Sequence, residues 1–269
     1  MTARAVVRAG PCCGPCCGPC CRAAASNVDH VPDSSAAHAS AAFHRGTIVS
    51  CAVSVDGCLD DATADRLVLS GPEDLDEVDA LRAGADAILV GAGTIRKDNP
   101  RLLVRDPSRI AARKAEGKSP HPSRVTLTSS GDLSPEASFF AGPGTPLVYC
   151  PASATGKVTK NLGNTAEVIG VGPELTLTAV VADLYRERGV ATLLVEGGAR
   201  ILRDLLAANL VDELRLAIAP FFVGDPSAPR FALPARYPHD PSAPMALVDV
   251  RRLGDLVVAH YRLAARPAY

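Results

Sequence analysis

The stretch Thr192-Leu193-Leu194-Val195-Glu196-Gly197-Gly198-Ala199-Arg200 decides the fold of this chain. It begins as a short apolar run, which is typical of a buried strand, and an amphipathic helical pattern follows its two glycines. Glycines let a backbone approach a phosphate closely, and the N–H groups at the start of a helix point towards an anion. The stretch therefore predicts a phosphate-binding turn between a strand and a helix, with Glu196 facing the same crevice.

A second turn of the same kind lies earlier in the chain, at Asp86-Ala87-Ile88-Leu89-Val90-Gly91-Ala92-Gly93-Thr94. Here the Thr94 hydroxyl could bind a phosphate or cap the following helix, and both interpretations stay open. Asp98 follows four residues later. Two glycine turns at strand ends suit a dinucleotide, although neither matches the G-x-G-x-x-G fingerprint of the Rossmann fold. We therefore expect a different nucleotide-binding α/β fold.

The composition limits the classes of protein to which the chain can belong. Its 269 residues, 47% of them hydrophobic, suffice for a full-sized core in one α/β domain. A formal net charge of −1 offers no basic surface for nucleic acid. No apolar run approaches the ~20 residues that a transmembrane helix needs. We expect no nucleic-acid partner, no membrane segment and no metal site.

Residues 1–45 differ in composition from the rest of the chain. Six of the nine cysteines lie in the tandem repeat at 11–21, where C-x-x-C pairs alternate with Gly-Pro. Prolines at every fourth residue exclude the strand and helix that a redox site needs, and a zinc cluster remains the alternative. We expect a disordered Cys/Pro/Ala-rich extension over 1–45 and one domain over 46–269. The other cysteines are scattered singly, which favours a reducing, cytoplasmic location.

The order of the predicted elements indicates the sheet topology. Strand and helix patterns alternate up to about residue 208, which predicts a mostly parallel sheet. The segment 212–220 alternates like a half-exposed strand, and the strand candidates 245–251 and 255–263 follow without a helix between them. This arrangement predicts an antiparallel C-terminal edge. Because a bare sheet edge invites pairing, we expect a homodimer.

Five motifs occur together in the order and spacing of a known family. They are Ser54-Val55-Asp56-Gly57, Val90-Gly91-Ala92-Gly93-Thr94 with Asp98-Asn99-Pro100, Val195-Glu196-Gly197-Gly198, Val211-Asp212-Glu213-Leu214 and Ile218-Ala219-Pro220. From about residue 46 to 263 the chain resembles the reductase domain of the riboflavin-biosynthesis deaminase/reductase. The resemblance implies a three-layer, dihydrofolate reductase-like fold.

The resemblance also implies an activity and a set of site residues. The activity is NADPH-dependent reduction of a phosphorylated ribosylamino-pyrimidinone, of the 5-amino-6-(5-phosphoribosylamino)uracil reductase type, with hydride passing to C1′ of the ribosyl group. The family pattern assigns cofactor contacts to Thr94, Asp98, Ser129, Gly197, Gly198, Ala199 and Arg200. It assigns substrate contacts to Arg82, Leu102, Arg105 and Glu196.

The chemistry of these residue types agrees with the assignment. Arg82 and Arg105 could bind a phosphate bidentately, and the carboxylates Asp98 and Glu196 could serve acid–base or electrostatic catalysis. Each residue also has a plainer interpretation. Arg82 could balance a helix dipole, Arg105 could be a solvated surface charge, Asp98 could form a turn, and Glu196 could be structural.

Three positions depart from the family pattern in the loop expected to contact substrate. They are Cys58, Arg66 and Val68, where the family usually has a Lys or Arg, a small polar residue and a Trp. They favour an alternative in which a paralogous NADPH reductase acts on another heterocycle, such as a dihydropterin or a secondary metabolite. A nucleotide-binding protein without catalysis is the third interpretation.

The deaminase half of the family is not expected here. Its zinc site needs a His-x-Glu pair, and none of the six histidines is followed two places on by Glu. For the 2′-phosphate of NADPH, the candidates are Arg96 and Lys97.

Overall fold

The computed structural model describes residues 46–63, 65 and 67–263. The predicted extension over 1–45 and the departure at Arg66 lie outside these residues. The strands are β1 (Gly46–Ser54), β2 (Ala87–Gly91), β3 (Ser123–Leu127), β4 (Leu147–Cys150), β5 (Glu167–Gly170), β6 (Thr192–Gly197), β7 (Glu213–Ala219), β8 (Ala246–Leu253) and β9 (Leu256–Arg262). The helices are α1 (Pro72–Gly84), α2 (Ala92–Asp98), α3 (Pro107–Ala115), α4 (Thr155–Leu162), α5 (Leu177–Arg186) and α6 (Ala199–Ala207).

Within the described residues, these strands form one sheet in the order β5-β4-β3-β2-β6-β1-β7-β9-β8. Neighbouring strands from β5 to β7 pair in parallel, and β9 pairs antiparallel with both β7 and β8. The α/β class with a mostly parallel sheet and an antiparallel C-terminal edge is therefore confirmed.

The predicted half-exposed character of β7 is wrong. Arg215 in the middle of this strand is only 1% exposed. The reason is helix α1, whose Asp74 and Glu77 pair with the guanidinium of Arg215; in addition, β9 pairs with the free edge of β7, so the true edge is β8.

The sheet separates two apolar layers. Alternate strand residues point to opposite faces, so that Val49, Leu89 and Val195 pack in one cluster while Ile48 and Ile88 pack in the other. Helices α5 and α6 cover the first face, and α1 and α4 cover the second. These are the three layers of the expected fold. No helix in the described part of the chain is long and apolar enough to span a bilayer.

The sheet opens where β1 and β6 separate. Their parallel pairing ends at Val49 and Val195, while β1 continues alongside β7 as far as Ser54. The chain of β6 instead turns at its glycines into α6. The gap between two diverging strands, at their carboxyl ends, is where open α/β sheets bind ligands.

Candidate active site

A cleft of about 930 Å³ occupies this gap. Strands β1, β2, β3 and β6 and helices α1, α2 and α6 contribute to its walls. Among the residues that line it are nine of the predicted site residues: Arg82, Thr94, Asp98, Ser129, Glu196, Gly197, Gly198, Ala199 and Arg200. Residues that are far apart in sequence are thus brought to one place by the parallel order of the strands.

The two glycine turns contact each other through their backbones. Gly197 and Gly198 have φ angles of +145° and +100°, which side-chain-bearing residues rarely adopt. A Cβ atom at Gly198 would lie 3.4 Å from the Cα of Gly91, and one at Gly91 would lie 3.3 Å from Cδ1 of Ile201. Gly198 is therefore required by its φ angle, while a Cβ at Gly91 would press on the end of the Ile201 side chain, and the two turns meet in van der Waals contact.

Helix α6 begins at this contact with an anion-binding geometry. Its N-cap, Gly198, has no side chain to cap the helix, so no side chain accepts from the first N–H groups. Arg200 is exposed in the first turn and makes no ion pair with the described residues. Free N–H groups, a cation and close backbone approach suit a pyrophosphate, and these residues fit a dinucleotide.

Arg82 and Glu196 form an ion pair at the floor of the cleft. Nε and Nη2 of Arg82 donate to the two carboxylate oxygens of Glu196, each over 2.6 Å. The side chains are 17% and 11% exposed. Burial alone would lower the pKa of Arg82, but the hydrogen bonds and charge of Glu196 outweigh it and raise the pKa. The pair therefore fixes a charged carboxylate beside the glycine turns.

The two candidates for the 2′-phosphate lie at the rim of the cleft, next to acidic residues. Nη1 of Arg96 donates to the carbonyl oxygen of Asp132 over 2.8 Å. Nζ of Lys97 lies 2.5 Å from Oδ2 of Asp60. Ser129 is exposed on the loop after β3 and lines the same cleft. Two cations and a hydroxyl thus line the cleft.

Two predicted substrate residues are not among those that line the cleft. Leu102, at φ +55°, is buried in the core beneath α1. The guanidinium of Arg105 donates to the carbonyl oxygen of Leu75 and is half exposed. The cause is Asp79, whose buried carboxylate accepts from the backbone N–H groups of Arg105 and Asp106 and holds this segment against α1.

Two of the departures from the family pattern, Cys58 and Val68, are not among the residues that line the cleft either. Cys58 is fully buried, and its backbone N–H donates to Oγ of Ser54. Val68 is 65% exposed. The neighbouring residues Leu59 and Leu69 line the cleft instead. That this loop contacts the substrate stays a prediction, in which Leu59 and Leu69 rather than Cys58 and Val68 face the cleft.

Among the cleft residues that sequence reasoning missed are Cys51, Asp74 and Arg215. Cys51 is buried, which raises the pKa of its thiol to about 12 despite the neighbouring Arg215, so this thiol stays neutral. Asp74 and Arg215 pair with each other over 2.5 Å. The sequence signal that could have revealed them is Arg215 itself, a charged residue in the middle of an otherwise mostly apolar strand. Among the described residues, no three His, Cys, Asp or Glu side chains are placed to hold a metal ion.

Comparison with known proteins agrees with this architecture. Residues 46–258 match the RibD C-terminal domain family. Among curated proteins, the 2,5-diamino-6-ribosylamino-4(3H)-pyrimidinone 5′-phosphate reductase of Archaeoglobus fulgidus is 35% identical over 67% of this chain and 83% of its own length. The protein of the same name from Aquifex aeolicus is 34% identical over 68% of this chain and 80% of its own length.

Solved structures show the same fold at lower identity. A pyrimidine reductase-like protein from Corynebacterium diphtheriae superposes with a TM-score of 0.68 at 22% identity, covering 82% of this chain and 93% of the other.

The curated relatives also include longer proteins. The sequence match with the RibD protein of Chlamydia pneumoniae, 30% identical over 68% of this chain, spans only 48% of that longer protein. The chain therefore belongs to the RibD C-terminal domain family, the reductase family of riboflavin biosynthesis, and has its dihydrofolate reductase-like fold.

Proposed function

We propose that this protein catalyses the NADPH-dependent reduction of 2,5-diamino-6-ribosylamino-4(3H)-pyrimidinone 5′-phosphate to its ribityl product. The observation that carries the proposal is the placement of the Arg82–Glu196 ion pair beside two glycine turns that fit a pyrophosphate. The relatives from Archaeoglobus fulgidus and Aquifex aeolicus, which carry the name of this reaction, support the choice of the diamino substrate over the uracil form that the sequence suggested.

The cofactor would supply a hydride. Gly197 to Arg200 and Thr94 would hold it, since they form the turns and the helix start described above. The ribosyl ring must open to an imine before reduction, and positive charge then develops at the imine nitrogen. The carboxylate of Glu196 is held by two hydrogen bonds from Arg82, so it is placed to stabilise that charge without reorienting. We assign proton transfer to Asp98, a half-buried carboxylate in the cleft wall.

A preference for NADPH over NADH follows from the charges at the rim. Arg96, Lys97 and Ser129 all line the cleft. A 2′-phosphate carries about −1.5 to −2 charges near neutral pH and accepts several hydrogen bonds. These three side chains are suited to bind the 2′-phosphate. The ribose hydroxyl of NADH carries no charge, so it would interact less strongly with the two cations.

The decisive experiment is an NADPH oxidation assay with purified protein. We expect turnover with the diamino ribosylaminopyrimidinone phosphate, slower turnover with the deaminated uracil form, none with dihydrofolate, and weaker activity when NADH replaces NADPH. Faster reaction with the uracil form would reverse the substrate assignment. Reduction of dihydrofolate alone would establish the paralogous reductase, and binding of NADPH without turnover of any of these would favour a role in sensing.

We also propose that the protein is a homodimer. The edge strand β8 and its neighbour β9 expose large apolar side chains, including Leu247 at 57%, Val250 at 53% and Val257 at 47%. An unpaired edge of this kind is normally covered by another chain. Light scattering at micromolar concentration should give twice the chain mass of 27.8 kDa, and Leu247→Asp should shift the mass towards the monomer.

The matched control for this experiment is Val68→Asp. Val68 is equally exposed, at 65%, but it lies in the loop before α1 rather than on the edge strand. Its replacement should leave the mass unchanged. A wild-type chain that scatters as a monomer would contradict the proposal.

A cytoplasmic location is consistent with the cysteines. Within the described residues, Cys51, Cys58 and Cys150 are free thiols, and all are buried. Free thiols persist where glutathione keeps them reduced. The three free thiols therefore support our proposal that the protein is cytoplasmic.

A further inference from the structure

A buried ion network forms the end of the cleft opposite the phosphate turns. The guanidinium of Arg215 on β7 donates to Oδ1 of Asp74 over 2.5 Å and to Oε1 of Glu77 over 2.7 Å. Glu77 in turn binds Arg251 on β8. Asp74 and Arg215 are each 1% exposed, and both line the cleft. An arginine keeps its charge at any physiological pH, so a fixed positive charge lies against Asp74.

One oxygen of this carboxylate has no partner. Oδ1 of Asp74 accepts from Arg215, but no donor among the described residues reaches Oδ2, although that atom is buried. A buried, unsatisfied oxygen on a charged group is costly, and such groups normally find a hydrogen-bond donor. In a residue that lines a cleft, the missing donor points to a ligand.

The position of Asp74 indicates which ligand supplies the donor. The phosphate turns follow β2 and β6, whereas Asp74 on α1 and Arg215 on β7 lie on the far side of β1. Ser50 of β1 pairs in register with Arg215 and lines the same end of the cleft. This end lies away from the pyrophosphate, where the substrate ring is expected.

We propose that Asp74, held by Arg215, determines specificity by accepting an N–H of the 2-amino group of the pyrimidinone; the identity of that ring rests on the proposed function. A 2-amino group supplies the donor that Oδ2 lacks. A 2-oxo group, as in the uracil form, would turn an oxygen lone pair towards the buried carboxylate. A site with a buried polar group discriminates strongly against a ligand that leaves that group unpaired. Arg215 acts as a positioning residue, because it binds Oδ1 and so leaves Oδ2 as the oxygen that can accept from the ligand.

The test compares two ring probes by calorimetry, in the presence of NADP⁺: 2,5,6-triaminopyrimidin-4-one and 5,6-diaminouracil. We expect the wild-type protein to bind the first about 10²-fold more tightly or better. In Asp74→Asn, the amide oxygen should still accept from Arg215, so that the NH₂ group faces the ring. That variant should lose the preference or reverse it in favour of the 2-oxo ring.

The control variant is Asp76→Asn on the same helix. Asp76 is exposed, pairs with Arg109 and does not line the cleft, so the ratio of the two affinities should stay at the wild-type value. Arg215→Gln should also reduce the ratio while NADP⁺ still binds. A purely structural role for Arg215 would lower stability and leave the ratio unchanged.

The outcomes separate this inference from the proposed function. Equal affinities in the wild type, no binding of either ring, or an unchanged preference in Asp74→Asn would overturn the role of Asp74, whatever the turnover assay shows. A preference that Asp74→Asn abolishes, in a protein that does not oxidise NADPH with either phosphate, would support the 2-amino site and reject the proposed reaction.

Discussion

Replacing Glu196 with Gln is expected to lower turnover by about 10²-fold or more while NADPH affinity stays close to the wild-type value. Gln keeps the shape of Glu196 but removes the charge that Arg82 holds over two hydrogen bonds of 2.6 Å. The positive charge that develops on the opening ribosylamine then loses its stabilising carboxylate. The same change at Asp98, to Asn, should also reduce turnover, and steady-state NADPH oxidation measures both.

Glu196→Gln also weakens the ion pair with Arg82, so a control variant must show how much stability is lost when a comparable ion pair is weakened. Asp183→Asn supplies one, because Asp183 binds Arg188 over 2.8 Å in a partly buried pair that does not line the cleft. Both variants should lose about 1–3 kcal/mol of unfolding free energy. Only the Glu196 variant should lose turnover. A well-folded double variant of Asp98 and Glu196 with near-normal turnover would show that neither carboxylate takes part in catalysis.

Gly198→Val is expected to weaken the binding of NADPH and NADH alike by ~10-fold or more, since each hydrogen bond to a charged group contributes about 1.5–3 kcal/mol. At φ +100° a β-branched residue is strained, and its methyl groups would extend into the contact between Gly198 and Gly91. The backbone could then no longer approach the pyrophosphate. Fluorescence titration with each cofactor measures the loss.

The control for backbone strain is Gly189→Val. Gly189 has a φ of +66°, with open space where a Cβ would lie, and it follows α5 outside the cleft. This variant should lose stability and keep its cofactor affinity. If Gly198→Val folds and binds NADPH normally, the pyrophosphate lies elsewhere.

Much of the fold could be predicted because apolar periodicity is local. The run Leu193 to Val195 and the glycines after it were sufficient to predict β6, its turn and α6. The segment 96–123 was harder, since its many charges hide the apolar positions. It contains the end of α2 and all of α3, whose N-cap Asp106 accepts from the backbone N–H groups of Ser108 and Arg109.

In the candidate site, too, some residues could be predicted from local sequence patterns and others could not. The glycine turns and Glu196 could be recognised in the sequence because they directly follow apolar strands. Since parallel strands end at the same edge of the sheet, their presence in one cleft could be predicted as well. The directions of Leu102 and Arg105 depend on Asp79, a partner that no sequence spacing reveals. The burial of Arg215 depends in the same way on Asp74 and Glu77 of α1, which pair with its guanidinium. Such contacts depend on tertiary packing, which is not encoded in any short motif.

The contact between Gly91 and Gly198 has a consequence for folding. These residues lie more than a hundred positions apart, and they meet only when β2 has paired with β6. Forming such a distant contact requires closing a long loop, which comes late in chain collapse. A chain in which β2 and β6 have not paired is therefore expected to have no cofactor affinity. NADPH should accordingly stabilise the native state by mass action without rescuing folding intermediates, so that bound cofactor reports complete folding.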